Sequence, residues 1–233
     1  MAADTSRSAE RTGPKAPVMG VHPVLAAWHA GLDERASIMR VPPGRASRTL
    51  GEPLPAFEGP LGRIDLVGLL LGEADHKALL QSAASQLQEG GLLMVAGLGP
   101  STLPGLRRDI GWAPEAVSAW WPDMHDLGDL LVQVGLADPV LESERLTLSY
   151  RDWRRARADL RTFPWRPPRQ AWAHVSRHAW APLLQSQKVP DGRILLEVEL
   201  VYAHAWRVPA RRRPSPETPA PVQFMPRNRF SSG

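Results

Sequence analysis

The chain has 233 residues, enough for one domain of ordinary size, and 43% of them are hydrophobic. Its 28 basic and 24 acidic residues leave a net charge of only +4, and it has no cysteine, so disulfide and thiolate chemistry are excluded. Met1 to Pro17 has no apolar core of a secretory signal, and no apolar run approaches the roughly 20 residues of a membrane span, which predicts a soluble, cytoplasmic protein.

Residues 1–16 are polar and charged and read as a disordered N-terminus. Val18 to His22 reads as a short strand, and Pro23 to Ala30 as a short helix opening on its proline. From Val41 to Pro60, prolines and glycines punctuate the text at short intervals, and the stretch reads as loop. Ile64 to Leu71 is an apolar run holding one acid, Asp65, and reads as a strand buried on both faces. Asp75 would cap a helix carrying Ala78, Leu79, Ala83 and Leu87 at helical spacing, stopped by Glu89-Gly90-Gly91. Leu92 to Ala96 is then a second buried strand, and the three pieces make a βαβ unit with parallel strands.

A helix is expected over Leu103 to Asp109, and another from an Asp123 or Asp126 cap to Val134, stopped by Gly135. Val140-Leu141 and Leu146 to Tyr150 read as strands. An arginine-rich helix, Asp152 to Thr162, is broken by Pro164, Pro167 and Pro168, and Gln170 to Gln185 is helical again. Ile194 to Tyr202 is a long strand whose Glu197 and Glu199 alternate with apolar residues. The Arg/Pro/Ser text from 207 to 233 reads as a disordered basic tail.

Three of these stretches carry a resemblance. Ile64-Asp65-Leu66-Val67, a helix, then Gln88-Glu89-Gly90-Gly91-Leu92-Leu93 is one. Trp121-Pro122-Asp123-Met124-His125-Asp126-Leu127-Gly128-Asp129, running on to Gly135-Leu136-Ala137-Asp138-Pro139 and Glu144-Arg145-Leu146-Thr147-Leu148-Ser149-Tyr150, is the most specific. The last is Asp191-Gly192-Arg193-Ile194 through Val201-Tyr202-Ala203-His204-Ala205-Trp206. In order and spacing they resemble the malonyl-[acyl-carrier protein] O-methyltransferase family of biotin synthesis, class I S-adenosylmethionine-dependent enzymes. The resemblance spans residues 64 to 206. It implies an α/β, Rossmann-like class I methyltransferase sheet, mostly parallel with a terminal antiparallel strand, within a domain of residues 17–206. It also implies S-adenosyl-L-methionine across the C-terminal ends of the first strands and an acyl-carrier protein as partner.

The chain departs from that family where the cofactor would sit. No G-x-G-x-G turn is present, although glycines are what let a backbone approach such a ligand. The resemblance implies that His22 stands where the family ends its second strand in a ribose-binding acid. It places Leu50, with Glu52 two residues on, where an aspartate meets the adenine amine. Leu69 and Leu70 fall where small polar residues line the cleft. His22, Glu52 and Leu69 are therefore the candidate cofactor residues, in a pocket that reads as degraded.

Arg154, Arg155, Arg157 and His125 are the candidate substrate or carrier residues. Carriers present acidic surfaces, so the arginines, with Arg151 and Arg161, would steer one electrostatically. The bland alternatives are a solvated helix face for the arginines and helix capping around His125. His204 reads as a strand-end residue. His174 and His178 are an i, i+4 pair without a third ligand at suitable spacing, so no metal site is expected. Trp165, Trp172 and Trp180 would line an acyl site or pack a helical cover. Three functions stay open: a carboxyl O-methyltransferase, a catalytically degenerate relative acting as a binding or regulatory partner, and, on composition alone, a nucleic-acid binder.

Overall fold

In the computed structural model, residues 22–49, 59–69, 76–111, 123–161, 175–176 and 178–208 are described, and five of their segments form one sheet. The elements in chain order are α1 (Pro23–Ala36), β1 (Arg45–Thr49), β2 (Leu61–Leu69), α2 (His76–Gln86), β3 (Leu87–Leu98), α3 (Pro104–Asp109), α4 (Met124–Gln133), β4 (Ala137–Tyr150), α5 (Trp153–Arg161), α6 (Trp180–Gln185) and β5 (Ile194–Trp206). The strand order is β1-β2-β3-β5-β4. β1, β2 and β3 pair in parallel, while β5 is antiparallel to both β3 and β4. Four strands therefore point one way and the last strand of the chain, lodged between β3 and β4, points the other, as the resemblance implies.

β3 shows why the sheet is buried on both sides. Leu92, Met94, Ala96 and Leu98 face one cluster with Trp28, Leu32, Ala156, Leu160, Trp180, Leu184 and Tyr202, contributed by α1, α5, α6 and β5. Leu93 and Val95 face the other, with Leu80 and Ala83 of α2 and Leu127 and Leu131 of α4. The period-2 alternation of a strand sends neighbours to opposite faces, so a continuous apolar run is what a doubly covered strand requires.

Several boundaries differ from the sequence expectation, each for a physical reason. α1 runs to Ala36 rather than Ala30, because Val24, Trp28 and Leu32 recur at every fourth position and all three are buried. β1 lies inside the stretch read as loop. Only Ala46 of its five residues is buried, so no apolar pattern announces it, and its register is set by β2 (Ala46↔Ile64, Ser47↔Asp65). β4 is one 14-residue strand, paired along its length with β5 from Val140↔His204 to Tyr150↔Ile194, where two short strands were expected. β5 continues to Trp206; of the helix expected over Gln170 to Gln185, α6 is described at Trp180–Gln185, and residues 170–174 and 177 lie outside the described residues.

Gly90-Gly91 does not stop α2; the helix ends at Gln86, and the glycines are inside β3. Gly90 N donates to Arg207 O at 2.7 Å and Arg207 N to Gly91 O at 2.8 Å. The Arg207 guanidinium then closes α2, its Nη1 lying 2.8 Å from Ala84 O and 2.7 Å from Ser85 O. A cation on the last carbonyls replaces the expected glycine cap. The expectations at 1–16, Val18–Val21, Leu50, Glu52, Leu70, Trp165, Trp172, His174 and 209–233 lie outside the described residues.

Candidate functional site

The parallel strands deliver Thr49, Leu69, Leu98 and Tyr150 to one edge of the sheet, the edge where open α/β sheets place their ligands. α5 starts three residues after β4 ends and returns across that edge, which brings its Asp159 to Tyr150 and to His22 at the start of α1. Tyr150 donates its hydroxyl to the Asp159 carboxylate; burial and that acid together hold the phenol protonated well above its usual range. Arg155 Nε lies 3.4 Å from Asp159 Oδ1, one turn away. His22 caps α1, its Nδ1 accepting from Val24 N at 3.3 Å. Burial pushes its pKa down, with Asp159 opposing and Arg155 assisting, so the imidazole favours the neutral form. One carboxylate thus gathers a histidine, a tyrosine and an arginine from three elements.

The arginines predicted from sequence share α5 but not an environment. Arg154 is 75% exposed, with its guanidinium 5.0 Å from the ring of its neighbour Trp153. Arg155 is 74% exposed and paired as above. Arg157 turns to α6, its guanidinium 5.9 Å from the Trp180 ring, and its Nε is buried with no hydrogen-bond partner. Ala156 and Leu160, also on α5, point into the core. Trp180 itself is buried in the core cluster.

His125 is brought to a different place. It is exposed in the first turn of α4, whose cap is Asp123, with Oδ1 accepting from Asp126 N at 2.9 Å. α4 packs on the face opposite α5. Leu69 is the last residue of β2, in register with Gly97, and Glu52 lies outside the described residues. His204 is half-buried on β5, its pKa lowered by burial against the opposing pull of Glu142. Among the described residues no group of three or more His, Asp or Glu side chains could hold a metal ion. A shallow hollow between α3 and the 187–197 hairpin is lined by Leu103, Gly105, Leu106, Gln187, Leu196 and Glu197, and by none of the predicted site residues.

Two ion networks were not anticipated from sequence. Asp65, fully buried in β2, accepts from Arg63 Nε at 2.6 Å and from Arg45 at 2.7 and 2.9 Å. Both arginines also reach Asp33 of α1, at 2.8 and 3.1 Å. The available signal was the alternation Arg63-x-Asp65, which puts both side chains on one face of an otherwise apolar strand. Arg35 of α1 meets Glu142 at 2.7 Å and Glu144 at 2.8 Å on β4, and stacks 3.9 Å from the Tyr202 ring. These networks fasten α1 to β1, β2, β4 and β5.

The end of β3 tests whether a nucleotide cradle is present. Gly97 O already accepts the Trp28 indole at 3.0 Å, and the space where a Cβ of Gly99 would stand is filled by the Glu199 carboxylate. His22 is engaged with its own helix and with Asp159. Neither Gly97 nor Gly99, then, offers open backbone to a methyl-donor nucleotide.

No family model matches the chain. Curated relatives do. The chain is 39% identical over 131 residues to the malonyl-[acyl-carrier protein] O-methyltransferase of Gallionella capsiferriformans, covering 54% of this chain and 45% of that protein. It is 37% identical over 147 residues to the enzyme of that name from Laribacter hongkongensis, covering 58% and 48%. The YcgJ protein of Bacillus subtilis superposes with a TM-score of 0.41 at 12% identity, over 78% of this chain and 77% of that one. The chain spans about half the length of the curated relatives it matches. Over these 131 and 147 residues the chain is similar to malonyl-[acyl-carrier protein] O-methyltransferases.

Proposed function

We propose that the protein is a carboxyl O-methyltransferase of the malonyl-carrier type. It would use S-adenosyl-L-methionine to convert the free carboxylate of a malonyl thioester, carried on an acyl-carrier protein, into its methyl ester. The observation that carries this reading is the 39% identity to a protein of that name. The chemistry agrees with the residues present. A carboxylate is already an anionic nucleophile, so no general base is required, and the protein has chiefly to orient it and exclude water. The arginine face of α5 supplies positive charge at the ligand edge of the sheet, where Arg154 and Arg155 would meet an acidic carrier.

A second reading is favoured by one observation, the missing G-x-G-x-G turn. In it the protein keeps the sheet and the carrier-facing helix and acts as a binding partner without catalysis. Calorimetric titration with S-adenosylhomocysteine separates the two. Micromolar binding, followed by methyl-ester formation on a malonyl-loaded carrier, is the expected result. A folded protein that binds nothing at millimolar ligand refutes the enzyme and leaves the partner.

A further inference from the structure

Arg154, Arg155 and Arg157, three of the four arginines of α5, were alike in the sequence and are unlike in the structure, and that difference carries an inference resting on the proposed function. Arg154 and Arg155 are three-quarters exposed, and each has an aspartate nearby: Asp152 for Arg154, Asp159 for Arg155. Among the described residues Arg157 forms no ion pair. Its guanidinium faces the Trp180 ring, and its buried Nε donates to nothing. A buried donor on a charged group left without an acceptor is costly, and a protein keeps few of them. A guanidinium backed by an aromatic face keeps its charge and its planar fork, and what that fork matches is a carboxylate.

We propose that Arg157, held against Trp180 in the seam between α5 and α6, is the receptor for the small free carboxylate of the acyl substrate. Arg154 and Arg155 are left to meet the carrier that bears it. The anion supplies an acceptor to a guanidinium that forms no ion pair among the described residues. Binding orients the carboxylate by two parallel N–H···O bonds, and a thioester ending in a methyl group cannot make them. Arg157 is in this sense a specificity-determining residue: it distinguishes a dicarboxylic acyl group from a monocarboxylic one.

The test uses malonyl-coenzyme A and acetyl-coenzyme A, which share every charge except the carboxylate in question. Equilibrium titration of the full chain is expected to show malonyl-coenzyme A bound about tenfold or more tightly, the scale of a charge-assisted pair. Arg157→Gln removes that preference and leaves the acetyl-coenzyme A affinity unchanged. Arg157→Lys restores it in part, because it keeps the charge and loses the fork. Arg193→Gln, an exposed change elsewhere, keeps it whole. A preference that survives in Arg157→Gln overturns this inference and leaves the proposed function standing. Wild-type protein that binds both thioesters equally also overturns it. Wild-type protein that binds neither thioester and no S-adenosylhomocysteine overturns both. Should Arg157→Gln fail to fold by circular dichroism, Trp180→Phe with Arg157→Lys reads the same preference, and an undiminished ratio there is again a refutation.

Discussion

Removing the charge of Asp65 isolates what joins β1 to the rest of the sheet. Asp65 is 0% exposed, Arg63 is 11% exposed, and Arg45, at 45%, is the more open partner. Asp65→Asn keeps the shape and leaves Arg63 buried with only Asp33, itself 55% exposed, to answer it. Breaking a buried pair by deleting one partner costs about 3–5 kcal/mol. At about 2–4 °C per kcal/mol for a domain of this size, that is a fall in melting temperature of about 6–20 °C. Urea unfolding followed by tryptophan fluorescence measures the first quantity, and thermal circular dichroism the second. Asp33→Asn is the internal control, because an exposed partner should cost less than about 1 kcal/mol. Replacing Arg45, Arg63 and Asp65 together by apolar residues of similar volume should return most of the loss, since no uncompensated charge then remains. An Asp65→Asn protein within about 1 kcal/mol of wild type would refute the reasoning, as would an Asp33→Asn loss of equal size.

Three further outcomes are expected. His22 and His204 both have pKa values lowered by burial, so the unfolded chain takes up protons first. Stability is present above about pH 6.5 and falls as the pH drops below it; His22→Asn, which keeps the helix cap, and His204→Gln should each flatten that decline in a Tm-against-pH series, and an unchanged slope in the pair combined counts against it. Gly31→Ala should destabilise by about 1–3 kcal/mol, because its Cβ would stand against the Tyr202 ring and dislodge a hydroxyl that donates to Ala27 O at 3.0 Å; chemical denaturation checks it. In native-state hydrogen exchange the amides of β3 and β5 should be the slowest and those of β1 should open first, because β1 has five residues and one buried side chain; protection in β1 equal to that in β5 would show the edge is not the weak unit.

Elements with their own periodicity were legible in the sequence. β2, α2 and β3 were expected as a βαβ unit because each carries an apolar pattern of the correct period, and α4 because Asp123 caps it. β1 was missed because only Ala46 of its five residues is buried, and the ion network of Arg45 reaches an acid twenty residues away. The α2 terminus was misplaced because its cap is Arg207, more than 120 residues downstream, and no local pattern could announce it. The same limit applied to the site. Arg154, Arg155 and Arg157 could be placed on one helix from their spacing, but not sorted. What sorts them is Asp159 drawn to Tyr150 and His22, and Trp180 set behind Arg157, all of which depend on how α5 folds back over the edge of the sheet.

The distribution of arginines separates support from recognition. Arg35, Arg45, Arg63 and Arg207 each hold two or more acid or carbonyl oxygens, and each ties one element to another: α1 to β4, β1 and β2 to α1, and the end of β5 to α2. The charges of Arg35, Arg45 and Arg63 are met by acids within the fold, while Arg207 rests on backbone carbonyls. The arginines of α5 tie nothing across the sheet. Arg155 faces Asp159 of its own helix, Arg154 faces Asp152 just before it, and Arg157 faces an aromatic ring. Arg154, Arg155 and Arg157 thus share one helix, beside the edge where the parallel strands end. For a reaction on a carboxylate held by an acidic carrier, attraction and orientation are the protein's main tasks. On the proposed function, Arg154 and Arg155 of α5 would serve the first and Arg157 the second.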